Sequence, residues 1–227
     1  MRAVLIGVAL AALSAGAAQA ADNALTPAEA KAGWSLLFDG KDTAGWRDFK
    51  AAQPDAGWTV KDGVLSPDPK TSKDLISKGE YENFELAFDW KISPKGNSGV
   101  MYHVLEEGDE TYWSGPEYQL LDNAHGEPPP QRAGSLFALY APTQDVTKPV
   151  DQFNHSRIVV DHGKVQHWMN GVKVAEYDLN SADFKARVAK SKFHAWPMFA
   201  TGKTGHIALQ NHGDWVGFKN IKIRVLK

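Results

Sequence analysis

Apolar and polar residues alternate along most of this chain. In "NFELAFDWKIS" the residues Phe84, Leu86, Phe88, Trp90 and Ile92 fall on one side and Glu85, Ala87, Asp89 and Lys91 on the other. That is the period of a strand with one face in a core. "GWTVKDGVLS" predicts a hairpin turning at Asp62-Gly63, and "KVQHWMNGVKVAEYDL" a second one turning at Asn170-Gly171. Further strands are predicted at "WSLLF", "SGVMYHVL", "PEYQLL", "SLFALY", "HSRIVVDHG", "GHIALQNH" and "VGFKNIKIRVL". Helical signals are few. "TPAEAKAG" predicts a short helix capped by Thr26 with Pro27 in its first turn, and "SADFKARVAKSKF" a second, with Phe184 and Val188 facing inward. About a dozen strands with one or two short helices predict an all-β, two-sheet antiparallel sandwich.

The amino terminus stands apart from this pattern. Met1 and Arg2 precede a run of small and apolar residues that ends in Ala18-Gln19-Ala20, the form of a secretory signal peptide cleaved near Ala20. The expected organisation is a signal peptide over 1–20, a leader over 21–32 and a single domain over 33–227, in the periplasm or outside the cell. Without Arg2 the chain carries 24 Lys plus Arg against 27 Asp plus Glu, a net charge of −3 that argues against a nucleic-acid partner. No later stretch is apolar enough to cross a membrane. Cysteine is absent, which excludes disulfides, a thiol nucleophile and thiolate metal ligands.

Polar residues interrupt three of the predicted strands. In "GPEYQLLDN", Glu117 and Gln119 share a face opposite Tyr118 and Leu120, and Asp122 joins them only if the strand ends or bulges near Leu121. The same alternation in "GNSGVMYHV" sets Met101 and His103 against Val100, Tyr102 and Val104. In "GHIALQNHG" it groups His206, Ala208, Gln210 and His212. A polar sheet face edged by aromatic residues, here Tyr112 and Trp113, suits a sugar, whose hydroxyls need donors and acceptors and whose ring faces stack on aromatics. Trp34, Trp46, Trp58 and Trp90 read as core, while Trp113 and Trp196 lie beside loops. No metal motif is present, although Glu117, Asp122 and a histidine brought together could hold a divalent cation; no organic cofactor is expected.

"GWSLLFDGKDTAGW", "SKGEYENFELAFDWKIS", "GNSGVMYHV", "GPEYQLLDN", "NHSRIVVDHGKVQHWMNG", "SKF" and "GHIALQNHGDWVGFKNIKIRVL", in this order from Gly33 to Leu226, resemble the 3-keto-disaccharide hydrolase domain family. The resemblance implies a concanavalin A-like jelly roll with a concave sugar-binding face, and activity on sugars oxidised at C3. It implies His103, Glu117 and Asp122 as acid-base or metal-organising groups. Asn97, Gln119, Gln210 and His212 would contact the sugar with Trp113, and Lys192 would partner an enolate or hydroxyl. A C3 ketone acidifies the C2 hydrogen, so a base can remove it and expel the C1 aglycone without an oxocarbenium ion. Two other functions fit the same residues: a lectin-like binding module, and an ordinary glycosidase that pairs Glu117 with Asp122.

Overall fold

The computed structural model describes residues 21–227; the predicted signal peptide lies outside the described residues. Two antiparallel sheets face each other. The first contains β1 (Trp34–Leu36), β3 (Thr59–Lys61), β4 (Val64–Ser66), β6 (Phe84–Ile92), β9 (Asn154–Asp161), β10 (Lys164–Met169), β11 (Val172–Asp178) and β13 (Val216–Val225). Its order is β11-β10-β9-β6-β13-β4-β3, with β1 also paired to β13. The second contains β2 (Trp46–Asp48), β5 (Leu75–Tyr81), β7 (Asn97–Val104), β8 (Glu117–Leu121) and β12 (Gly205–Leu209), in the order β2-β5-β12-β7-β8. Two helices, α1 (Pro27–Lys31) and α2 (Ala182–Lys190), lie outside the sheets.

The core between the sheets is the one the alternation predicts. Phe84, Leu86, Phe88, Trp90 and Ile92 are all buried there, facing Val100, Tyr102, Tyr118, Leu120, Ile207 and Leu209 of the second sheet. Glu85 and Ala87 are buried as well, because β6 is a central strand. Glu85 is neutralised by ion pairs with Arg157 and Arg224 from the flanking strands β9 and β13. The hairpin turns form where both turn residues adopt positive φ: Asp62 and Gly63 at 52° and 74°, Asn170 and Gly171 at 48° and 84°. Thr26 caps α1 in a capping box with Glu29, and Ser181 caps α2, which buries Phe184. The leader is pinned to the first sheet through Asn23, which exchanges hydrogen bonds with Asn220 across β13.

Three expectations fail in detail. "SLFALY" is no strand: Leu136 makes single bridges to Tyr118 and Tyr140, because Gly134 (φ 84°) and Ala138 (φ 61°) turn the chain back on itself. Trp34 is half-buried rather than core, with the Arg224 guanidinium 5.2 Å from its ring centroid. The alternation of β7 breaks at His103, whose φ of 53° matches a register shift in β12 between His206 and Ala208. Val104 is thereby carried to the same side as Met101, and His103 is turned away from it.

Candidate active site

The outer face of the five-stranded sheet is built in rows, because paired strands place side chains of one parity side by side. Ile76, Ala208, Met101 and Glu117 form one row across β5, β12, β7 and β8. With Phe49 and Val104, the first three make a small apolar floor outside the main core. The row two residues along holds Gln210, Gly99 and Gln119: Gly99 pairs with Gln119, and the Gln210 amide donates to the Gly99 carbonyl at 2.9 Å. Continued one residue past the Leu209–Leu75 pair, the register brings that row to Asp74, immediately before β5.

Gly99 is the gap in this row. A Cβ there would lie 2.3 Å from Oε1 of Glu117, so the missing side chain is what lets the carboxyl lie flat across β7. Glu117 is 7% exposed, and burial pushes its carboxyl up to about 8, with the Lys192 ammonium pulling it down and Asp74 pushing it further up. Asp74 accepts hydrogen bonds from the Thr111 hydroxyl at 2.5 Å and the Asn211 amide at 2.9 Å. Burial pushes it up to about 6 against the pull of those bonds.

Above the rows opens a cavity of ≈ 260 Å³ lined by Asn97, Tyr112, Glu117, Gln119, Phe137, Lys192, Trp196, Gln210 and His212. Gln119 is 1% and Gln210 8% exposed, yet the side-chain oxygen of each is without a partner. The Gln119 amide donates to Asn97 Oδ1 at 2.8 Å, which fixes its orientation. The aromatic wall is Trp196, Tyr112 edge-on to it at 5.3 Å, and Phe137, with Lys192 Nζ 4.6 Å from the Phe137 ring centroid. Two buried acceptors, a cation, a carboxyl whose burial favours its protonated form and ring faces are the groups that binding a polyhydroxylated ligand requires.

Six of the residues expected from the sequence meet in this cavity: Asn97, Glu117, Gln119, Lys192, Gln210 and His212. Three stand elsewhere. Trp113 stacks on the far side of Trp196, with centroids 6.2 Å apart, so it backs the wall instead of lining it. Asp122 caps the turn Asn123–His125 through the Ala124 amide and accepts from the Lys95 amide, beside a different depression. His103 is turned by its positive φ toward the Glu82 carbonyl, 2.8 Å from Nε2, and faces a cavity with His162 and Lys203. Glu117, Asp122 and a histidine are thus not brought together, and among the described residues no three His, Cys, Asp or Glu side chains are placed to hold a metal ion. The pairing of Glu117 with Asp122 that an ordinary glycosidase would need is likewise not formed. Trp196, Phe137 and Asp74 are the residues of this face that sequence alone did not assign to it.

Comparison with known proteins decides the family. A family model described as "3-keto-alpha-glucoside-1,2-lyase-like domain" matches residues 33–224. The chain belongs to this family. A member named 3-keto-disaccharide hydrolase, from Bacteroides thetaiotaomicron, is 30% identical over 90% of this chain and 82% of its own. The solved structure of a "putative glycosyl hydrolase" from Parabacteroides distasonis superposes with a TM-score of 0.86 at 36% identity, covering 91% of this chain and 100% of that one. The carbohydrate binding module CBM66 of Bacillus subtilis, at 11% identity and a TM-score of 0.51, shares the fold alone. This member of the lyase-like family is therefore a β-sandwich of a carbohydrate-active enzyme family, with its buried glutamate and glutamines on one sheet face. No helix among its described residues is long and apolar enough to cross a membrane.

Proposed function

We propose that this protein is an exported enzyme that cleaves 3-keto-glycosides by elimination across C1 and C2, followed by addition of water. The observation that carries the reading is Glu117: a buried carboxyl, raised to about 8, in a cavity it shares with the amides of Asn97, Gln119 and Gln210, the Lys192 ammonium, the Tyr112 hydroxyl and the His212 imidazole. Such a carboxyl holds its proton at neutral pH and can give it to the glycosidic oxygen as the C1–O bond breaks. Loss of the C2 hydrogen places charge on the C3 oxygen, and an ammonium offsets such a charge best inside a cavity that excludes water. Lys192 is the cation of the pocket. The unpartnered oxygens of Gln119 and Gln210 accept sugar hydroxyls, and Trp196 and Tyr112 cover a ring face. The export signal read in residues 1–20 supports action outside the cytoplasm.

Elimination and displacement differ at C2. Turnover of a 3-keto-α-glucoside in heavy water, analysed by mass spectrometry at early times, is expected to give 3-keto-glucose with deuterium at C2. Product whose C2 hydrogen is retained throughout would point to direct displacement at C1 and overturn the mechanism.

A further inference from the structure

Elimination also needs an ionised base, and a carboxyl that holds its proton for the leaving oxygen cannot take another at the same moment. The geometry of the substrate sharpens the requirement. In an α-glucoside the C2 hydrogen and the C1–O bond are trans-diaxial, on opposite faces of the ring. A second proton-transfer group has to stand across the sugar from Glu117. This inference rests on the function proposed above.

Asp74 stands there. It shares the outer face with Ile76, two residues further along the chain, while Leu75 between them begins β5 and points into the main core. Its row continues through Gln210 to Gly99, over which the Glu117 carboxyl lies. Two strand spacings, about 9.5 Å at the backbone, separate Asp74 from that position. The two carboxyl groups of an inverting glycosidase, which flank the sugar with room for a water, stand roughly 6.5 to 9.5 Å apart. Between them the Gln210 oxygen is buried and unpartnered, and beyond Glu117 the Gln119 oxygen is the same. A row of orphaned acceptors running from one carboxyl past the other calls for a ligand with hydroxyl donors lying along it.

Asp74 is reachable as well as aligned. It lines a cavity of ≈ 380 Å³ with Phe49, Lys50, Asp109, Glu110 and Asn211, beside the sugar cavity. Glu110 and Asn211 face the first while Tyr112, Gln210 and His212 face the second. The hydrogen bonds from Thr111 and Asn211 occupy one lone pair on each Asp74 oxygen and fix its direction, leaving capacity for one proton.

We propose that Asp74 is the general base that removes the C2 proton while Glu117 protonates the departing glycosidic oxygen. The C2–H electron pair becomes the C1–C2 double bond conjugated with the C3 ketone, the C1–O pair leaves with the aglycone, and the Glu117 proton completes the alcohol. Asp74 is then protonated and Glu117 ionised. Addition of water reverses both: Glu117 takes a proton from water as its oxygen bonds to C1, and Asp74 returns a proton to C2. The cycle closes with both carboxyls restored, and the net reaction is hydrolysis.

The titrating environment fits this division. At neutral pH Asp74, at about 6, is ionised and Glu117, at about 8, is not. The titratable groups around Asp74 are Lys50, Lys73, Asp109 and Glu110, and those around Glu117 are Lys192, Tyr112, His212 and Asp74 itself.

The test follows exchange of the C2 hydrogen in heavy water on the 3-keto derivative of 1,5-anhydroglucitol, which has no C1 aglycone to expel. Asp74→Asn is expected to exchange at least about 10²-fold slower than wild type. Exchange by Asp74→Asn within a few-fold of wild type would overturn the assignment. Thr111→Val serves should Asp74→Asn not fold. Losing the hydroxyl that lowers Asp74 raises its titration point, so the acid limb of kcat/KM should move to higher pH; an unmoved limb counts against Asp74. Absence of both exchange and cleavage in wild type would instead sink the keto-glycoside reading itself.

Discussion

Glu117→Gln is expected to lose release of the aglycone from a 3-keto-glucoside by about 10²- to 10⁴-fold, and yet to be more stable than wild type at pH 8. The two effects have one cause. Burial raises the Glu117 carboxyl from 4.5 to about 8, so the folded protein favours its protonated form. The stability this group confers is fully present below pH 4.5 and is lost as pH rises toward 8, because folding then holds a carboxylate away from water. Glutamine cannot ionise. The stability difference between variant and wild type should therefore be near zero at pH 4, grow from pH 5 upward and level off above pH 8, reaching on the order of a few kcal/mol. Urea unfolding across this range reads it directly. Equal stability at pH 5 and pH 8 would mean that the carboxyl is not desolvated as described.

Gly99→Ala is expected to be nearly as damaging to activity although it removes no functional group. A Cβ at residue 99 would meet Oε1, Cγ and Cδ of Glu117 at 2.3 to 2.9 Å, so the carboxyl must leave its place over β7. Displacing a reacting group by about 1 Å costs roughly 10²-fold in kcat, and overpacking costs about 1 to 3 kcal/mol in stability. Steady-state kinetics on the keto substrate with a parallel melting curve separates the two. A variant that melts lower but keeps wild-type kcat would show that Glu117 need not lie over Gly99.

Much of this architecture was legible from the period-two alternation, because β6 and β13 are long and their inward residues are large. The turns were legible where Asp-Gly and Asn-Gly supply two positive φ angles. The cavity was legible to the extent that Glu117, Gln119 and Gln210 break an apolar pattern on faces that parity can assign. Parity failed at His103. A single residue at φ 53° transfers Val104 to the outer face, and nothing in "VMYHVL" announces the bulge. Asp122 failed for a related reason, since the strand ends at Leu121 and the aspartate caps a turn instead of continuing the row.

Asp74 was hidden more deeply. In "TSKDLISKG" it reads as one more polar residue before a strand, and its partners are Asn211, just past the end of β12, and Thr111 of the turn Thr111–Trp113, far along the chain. Strand order β2-β5-β12-β7-β8 places β5 two strands from β7, an adjacency that pattern within each strand cannot reveal. Trp113 and Trp196 show the same limit. Both flank loops, and only their stacking decides which one lines the cavity and which one supports it.

The central claim is that the ketone makes this pocket reactive. The most direct measurement is release of the aglycone by residues 21–227 from a 3-keto-α-glucoside and from the same glucoside left unoxidised, side by side. Release from the keto sugar alone is the predicted result, since only there is the C2 hydrogen acidic enough for a carboxylate to remove. Release from the unoxidised glucoside at a comparable rate would contradict the account, and would assign Glu117 and Asp74 to an ordinary glycosidase pair.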